Sequence, residues 1–223
     1  MQSGSDRVHE VHRIGCTPNR TPPKFPKIFA PGPRTGPHLG CGPVRFGFGA
    51  VPEPDPSIPK RTPLHSSSID ARVDVMRWLL NHGAEIDARS EYGITPLYWA
   101  AHDTLIGSVQ VLLDHNANTN IPTNNGQTPL YVASIRVGEH TLDIVRQLLE
   151  HRADPNICRD NHSTPLHEAS SRGSLEVARL LLSYGAKVDA KDDEGMTPFQ
   201  MAASNGHQEI TKLLLEYGAV PPP

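Results

Sequence analysis

The chain has 223 residues, of which 37% are hydrophobic, and a formal net charge of −3. No apolar segment follows Met1 and no run of 18 apolar residues occurs, so we expect neither a secretory signal nor a membrane span. The three cysteines, Cys16, Cys41 and Cys158, are far apart and lack C-x-x-C spacing. We therefore expect reduced thiols and a cytoplasmic or nuclear location.

Residues 1–60 differ in composition from the rest of the chain. They hold 12 of the 22 prolines and 8 of the 18 glycines, with 8 basic against 4 acidic residues. Without apolar periodicity such a segment cannot bury enough surface to offset its chain entropy, which predicts a disordered, basic tail. The P-x-x-P spacings 23–26 and 56–59 also fit a polyproline ligand for an SH3-type domain, but a solvated tail is the simpler interpretation. Its net charge of +4 is dilute for binding nucleic acid or acidic lipid.

A repeated unit fills the remainder of the chain, and the copy from Thr164 to Gly195 shows it most completely. Thr164 can cap a helix that begins with Pro165, because proline fits the first helical position, where no backbone donor is needed. Gly173 predicts a tight turn, and the leucine-rich stretch after it predicts a second helix that ends at Gly185. The polar residues up to Gly195 predict a finger-like turn.

The Thr-Pro pair that opens this unit recurs at spacings of 33, 33, 36 and 33 residues. The openings read TPLH at Thr62, TPLY at Thr95 and Thr128, TPLH at Thr164 and TPFQ at Thr197. With a period near 33, these motifs resemble the ankyrin repeat family. The resemblance implies an all-α solenoid of five helix-turn-helix repeats with finger loops, in an ankyrin repeat domain over residues 61–219. The repeats fall at about 61–93, 94–126, 127–162, 163–195 and 196–219, before a short C-terminal tail at 220–223.

The first repeat carries Ser66, Ser67 and Ser68 where the family has small apolar residues, and Ala71 at the turn that usually takes glycine. A polar first helix would suit an N-terminal capping repeat whose outer face meets water. Equally, the abrupt change in composition at Lys60 would fit a chain that begins partway through a longer array.

The second repeat departs furthest from the pattern. Thr104 replaces the turn glycine, and Asn116 replaces the glycine after the second helix. Gly107 falls inside that helix, where it costs about 1 kcal/mol relative to alanine. Trp99 lies beside two alanines on the first helix, which favours packing in the core over a ligand-binding box.

The third repeat is three residues longer, and alignment of its leucine-rich helix places the excess near 137–139. Either the first helix is lengthened or the turn becomes a small loop, and both leave the core register intact. Arg152 and His162 stand where the fourth repeat has glycine. Both are therefore expected to adopt a positive φ at some cost in strain.

No constellation of residues in the sequence predicts catalysis or a bound cofactor. The sequence HEAS at His167 is not an H-E-x-x-H motif, and the resemblance implies that His167 bonds between adjacent turns. Cys158 with His151 and His162 lacks a fourth converging ligand for zinc. The run 191–194 resembles a calcium loop only in charge, and phosphate-binding glycine motifs are absent from the sequence. We therefore expect no enzyme activity, no metal and no cofactor.

The resemblance also implies where a partner would bind, at the finger tips and at two positions on each first helix. Tyr92, Ile94, Ile135 and Met196 are expected to point outwards as apolar anchors. The finger positions are Arg89, Glu91, Tyr92, Ile94, Asn124, Asn125, Gln127, Asp160, Asn161, Asp193, Glu194 and Met196. The helix positions are Ile69, Asp70, His102, Asp103, Ile135, Arg136, Ser171, Arg172, Ser204 and Asn205.

These features predict a noncatalytic, monomeric module that binds a protein partner as a scaffold or adaptor, with no small-molecule substrate. The alternative is a regulatory or targeting fragment of a larger ankyrin protein that contains an enzyme. Nucleic acid is a weaker candidate, because the residues after position 60 carry 13 basic and 20 acidic side chains, a net charge of −7 that repels phosphate.

Overall fold

The computed structural model describes residues 60–221, which form ten helices and contain no strand. The predictions of a disordered tail and of polyproline ligands concern residues outside that range. The helices are α1 Pro63–Ile69, α2 Val73–Asn81, α3 Pro96–His102, α4 Ile106–Asp114, α5 Pro129–Ile135, α6 Thr141–Glu150, α7 Pro165–Arg172, α8 Leu175–Ser183, α9 Pro198–Ser204 and α10 Gln208–Glu216.

The helices stack in two rows. The first helix of each repeat (α1, α3, α5, α7, α9) packs on the first helix of the next, and the second helices (α2, α4, α6, α8, α10) do the same. Within each repeat the two helices also pack on each other. This confirms the predicted all-α solenoid of five helix-turn-helix repeats.

The core runs unbroken between the two rows. Leucines at equivalent repeat positions are fully or almost fully buried on both sides of it, and they are Leu64, Leu97, Leu130 and Leu166 from the first helices and Leu112, Leu148, Leu181 and Leu214 from the second. No single repeat could bury both of its apolar faces, so each repeat depends on its neighbours.

The first helices begin as the Thr-Pro motif predicts. Thr95 Oγ1 accepts a hydrogen bond from the backbone N of Tyr98 at 3.2 Å. At the fourth repeat, the backbone N of Thr164 donates to Nδ1 of His167 at 3.1 Å, and Pro165 occupies the first helical position. These bonds satisfy donors at the helix start that have no partner within the helix.

A row of side chains that sequence reasoning missed fixes the register between neighbouring repeats. Asp87, Asn120, Asn156 and Asp189 occupy the same repeat position. The first three each accept a bond from a backbone N of the following repeat, at 3.0, 2.8 and 2.8 Å, and Asp189 accepts from Val220 N, directly after the fifth repeat, at 3.2 Å. Because each acceptor reaches one repeat along, the row links all five repeats.

The first repeat does not meet water through its serines. Ser66, Ser67 and Ser68 are buried, and the hydroxyls of Ser67 and Ser68 donate to the carbonyl of Leu64 at 3.1 and 2.7 Å. The expectation of a water-facing polar helix is therefore wrong, because the hydroxyls are satisfied by the helix backbone itself.

The deviant turns adopt the strained geometry that their positions require. The φ angle is +66° at Arg152 and +58° at His162, which confirms both predictions, and it is +54° at Thr104 and +63° at Asn116. Two of the three extra residues of the third repeat lengthen the connection between α5 and α6, which spans 136–140 against 103–105 in the second repeat, and the third extends α6 to ten residues. The first helix α5 keeps seven residues, as in α3. The alternative of a lengthened first helix is thus wrong.

Arg152→Gly is expected to raise the free energy of unfolding by about 1 kcal/mol, because glycine adopts a positive φ without the steric cost of a Cβ. Urea denaturation measures the change. Gly185→Arg is the reverse substitution at the equivalent position of the fourth repeat, where a Cβ would meet nothing within 4 Å. It should destabilise by a similar amount, and equal stability of all three proteins would contradict the assignment of strain.

Candidate protein-binding surface

The first helices and the four finger loops, at residues 89–94, 122–127, 158–163 and 191–196, form one side of the array, called the finger face below. Neighbouring fingers are joined by main-chain bonds. Asn124 N donates to Tyr92 O at 3.0 Å, Asp160 N to Asn125 O at 3.2 Å, and Asp193 N to Asn161 O at 3.0 Å. The fingers therefore make a continuous edge, which side-chain bonds reinforce between the first two fingers, from Arg89 Nη2 to Pro122 O at 3.0 Å and from Asn124 Nδ2 to Glu91 O at 2.8 Å.

The second and third fingers lie in close contact. Gly126 has a φ of +82°, and a Cβ at this position would lie 2.7 Å from the Cα of Arg159. Gly195 occupies the equivalent position in the last finger with a φ of +75°, and a Cβ there would meet nothing within 4 Å. The two glycines share backbone strain but differ in the space around them.

Gly126→Ala is expected to destabilise the array by more than Gly195→Ala. Gly195→Ala costs only the strain of a positive φ, about 1–2 kcal/mol, whereas Gly126→Ala also pushes apart two finger backbones. Thermal and urea unfolding of the two variants give the comparison. Equal losses would show that the fingers do not constrain each other.

The fourth residue of the opening links adjacent repeats in the first four repeats. His65 Nε2 lies 2.9 Å from Ile94 O, and His167 Nε2 lies 3.1 Å from Met196 O. In both cases Nδ1 accepts from the capping threonine backbone, so Nε2 is the donor. This confirms the bond between adjacent turns expected for His167. Burial lowers the pKa of His65 and of His167 below the usual 6.5, because it disfavours the charged imidazole.

Tyrosines take the same position in the second and third repeats. The Tyr98 hydroxyl donates to Gln127 Oε1 at 2.8 Å, and the Tyr131 hydroxyl donates to Glu168 Oε1 at 2.6 Å. Burial raises the pKa of Tyr98 to about 12, so this hydroxyl remains a donor at neutral pH. These side chains reach one repeat along and form the floor of the finger face.

Most of the predicted binding positions are at the surface. The exposed residues are Asp70, Arg89, Glu91, Tyr92, Asp103, Asn124, Asp160, Asn161, Arg172, Asp193, Glu194, Ser204 and Asn205. The half-buried residues are Ile69, His102, Asn125, Gln127, Ile135, Arg136, Ser171 and Met196.

Ile94 is a correction to these predictions. Its side chain is only 9% exposed and belongs to the apolar core, so it does not point outwards. The backbone explains the position, because Ile94 N donates to Ser90 Oγ at 3.2 Å and Ile94 O faces His65. Ile94 closes the base of its finger rather than its tip. Trp99 is also buried in the core, which confirms the prediction that it packs.

One group of predicted residues is brought together between the second and third repeats. Nη2 of Arg136 donates to Nε2 of His102, and Nδ1 of His102 lies 2.6 Å from Asp103 Oδ1. The His102 ring also stacks on Tyr98, with ring centroids 6.3 Å apart. A second pairing joins the last two fingers, where His162 Nδ1 lies 2.5 Å from Asp193 Oδ1.

Arg159 is a surface residue that sequence reasoning missed. In the other fingers the equivalent residue is short and accepts a hydrogen bond that closes the finger, as Ser90 does from Ile94 N and Asp192 from Met196 N at 2.8 Å. A guanidinium has no acceptor, so Arg159 cannot play this role. Comparison of this position among the repeats is the signal that would have found it.

Other expectations concern chemistry rather than surface. Cys158 is disulfide-bonded in the structure, so the expectation of a reduced thiol is wrong at this position. Residues 60–221 hold no group of three or more metal-ligating side chains. No helix in that range is long and apolar enough to cross a membrane.

The comparison with known families agrees with the architecture. A family model described as ankyrin repeats matches three overlapping stretches, at residues 50–123, 89–157 and 135–222. Because these matches cover most of the chain, the protein belongs to the ankyrin repeat family. A comparison with curated proteins found no match. Ankyrin repeats are in general protein–protein interaction modules.

Proposed function

We propose that this protein is a noncatalytic scaffold or adaptor that holds a protein partner on the finger face. The finger edge is the observation that supports this most strongly. Main-chain bonds hold the fingers in place, so tip side chains that make no bond between fingers, such as those of Glu91 and Asp160, are available for recognition. Both residues are exposed on this fixed edge.

Two residues on the finger face fit the role of apolar anchors. Tyr92 is 37% exposed at the tip of the first finger, and Ile135 is half-buried at the end of α5. Partly exposed aromatic and aliphatic side chains of this kind supply much of the binding energy at protein interfaces. We therefore assign the partner contact to the first three repeats.

A double substitution, Tyr92→Ala with Ile135→Ala, is expected to weaken partner capture by at least about tenfold, since loss of an anchor costs about 2 kcal/mol or more. The matched control is Tyr184→Ala with Leu215→Ala, two residues 43% and 46% exposed on the row of second helices. The parent chain and the two double variants are each immobilised at full length. Quantitative mass spectrometry then measures the partner proteins that each of them retains.

The two double variants must have the same midpoint of thermal unfolding, so that a difference in capture reports binding rather than folding. Equal capture by the two variants would contradict binding through the finger face. Turnover of a substrate by the purified chain would contradict the noncatalytic assignment.

A further inference from the structure

Two arginines of the third repeat act on one tyrosine of the finger face. Arg136 donates to His102, whose ring stacks on Tyr98. Arg159 comes from the third finger, where its Cα lies against Gly126. The residue after Gly126 is Gln127, which accepts the Tyr98 hydroxyl bond. Arg136 and Arg159 lie 23 positions apart in the sequence, and both act electrostatically on Tyr98.

Neither cation is neutralised within residues 60–221. The Nε atoms of Arg136 and Arg159 are both buried and have no hydrogen-bond partner there, and neither residue forms an ion pair with a described carboxylate. Partial burial of a guanidinium without an anion is unfavourable. An anion bound beside these two arginines would therefore be stabilised.

The nearby carboxylates are engaged elsewhere. Glu168 accepts from the Tyr131 hydroxyl at 2.6 Å and lies 3.5 Å from Ser163 Oγ, and Asp103 lies against His102. Both arginines lower the pKa of Tyr98 in opposition to the larger effect of burial, and Arg159 also acts this way on Tyr131. Both arginines thus bring positive charge to Tyr98, whereas Glu168 raises the pKa of Tyr131 by more than Arg159 lowers it, in a domain where residues 61–223 carry a net charge of −7.

We propose that Arg136 and Arg159 form a recognition site for the carboxylates of an acidic segment of the partner protein. This inference rests on the proposed function and adds the chemistry of the partner. A guanidinium matches a carboxylate because its parallel N–H groups can bind both oxygens. An acidic peptide brings a few charges to this spot, whereas a nucleic acid would also bring phosphates close to the exposed Asp160, Asp193 and Glu194.

Selection of peptides on the full chain tests the inference without a known partner. The probe is a phage-displayed library of random dodecapeptides. We expect the selected peptides to be enriched in aspartate and glutamate relative to the unselected library. For the tightest peptide, Arg159→Gln should raise the dissociation constant by at least about tenfold, as should replacement of its acidic residues by their amides.

Two further variants make the test specific. Arg146→Gln removes the same charge from an exposed position on α6 and should leave peptide affinity unchanged. Arg136→Gln should also weaken binding, but it breaks the bond to His102. Arg159→Gln breaks no side-chain hydrogen bond within the described residues. Its effect on peptide affinity therefore tests the inference even if the Arg136→Gln variant unfolds.

Several outcomes would overturn the inference. They are selection of neutral or basic peptides, selection of none, an acidic preference that survives the Arg136→Gln, Arg159→Gln double variant, and displacement of the peptide by single-stranded oligonucleotide as readily as by free acidic peptide. If one of these occurs while Tyr92→Ala with Ile135→Ala still reduces protein capture, only the acidic partner is wrong. If capture is also unaffected, the proposed function fails as well.

Discussion

Leu181→Ala is expected to lower the free energy of unfolding by about 2–5 kcal/mol. Leu181 lies in the last turn of α8, is completely buried and belongs to the continuous core. Its helix packs on α7 within the repeat and on α6 and α10 in the neighbouring repeats. Removing the side chain leaves a cavity with packed helices around it, and such a site relaxes only partially.

Urea denaturation followed by circular dichroism gives the size of this loss. Leu215→Ala is the matched control, since Leu215 lies on α10 with nearly half of its surface exposed. Exposed substitutions of this kind usually change stability by no more than about 0.5 kcal/mol. Equal losses for the two variants would mean that the second helices do not form the buried row.

Acidification from about pH 7.5 to about pH 5 is expected to destabilise the array through His65 and His167. Burial lowers the pKa of both imidazoles in the folded state, with Arg61 adding to the effect at His65 and Asp192 and Glu168 opposing it at His167. Below pH 6.5 the unfolded chain therefore binds more protons at these two imidazoles than the folded chain does. Stability is full above the unfolded pKa of 6.5 and is lost as the pH falls from there to the lowered value, by about 1.4 kcal/mol per unit of difference.

A glutamine variant isolates these two groups from the other histidines. Gln200 is the natural residue at the same position of the fifth repeat, where its Oε1 accepts from Thr197 N at 2.9 Å as a histidine Nδ1 would. The His65→Gln, His167→Gln double variant should thus keep the caps and lose less stability than the parent over the same pH range. An unchanged loss, measured by urea denaturation in matched buffers, would assign the acid sensitivity to other groups.

The fold was predictable because its determinants are local and periodic. Thr164 and Pro165 define a helix start in any context, and the 33-residue spacing repeats this start in register. The strain at Arg152 was predictable for the same reason, since the equivalent Gly185 shows what that turn requires. What the pattern could not supply was the direction of individual side chains.

The errors illustrate this difference. Ile94 stands at a position that binds partners in the family, but here its side chain turns into the core. Ser67 and Ser68 are polar yet buried, because each hydroxyl has an acceptor in its own helix. Arg136 and Arg159 both belong to the third repeat and meet the second repeat at His102 and Gly126, and neither a motif nor the composition reports such contacts.

Amide hydrogen exchange of the full chain, measured with and without the tightest peptide obtained from the library, tests the central claim most directly. The claim predicts slower exchange in the fingers at 122–127 and 158–163 and in the first helices α3 and α5, with the second helices unchanged. Protection confined to α4, α6 and α8, or no protection on binding, would contradict it.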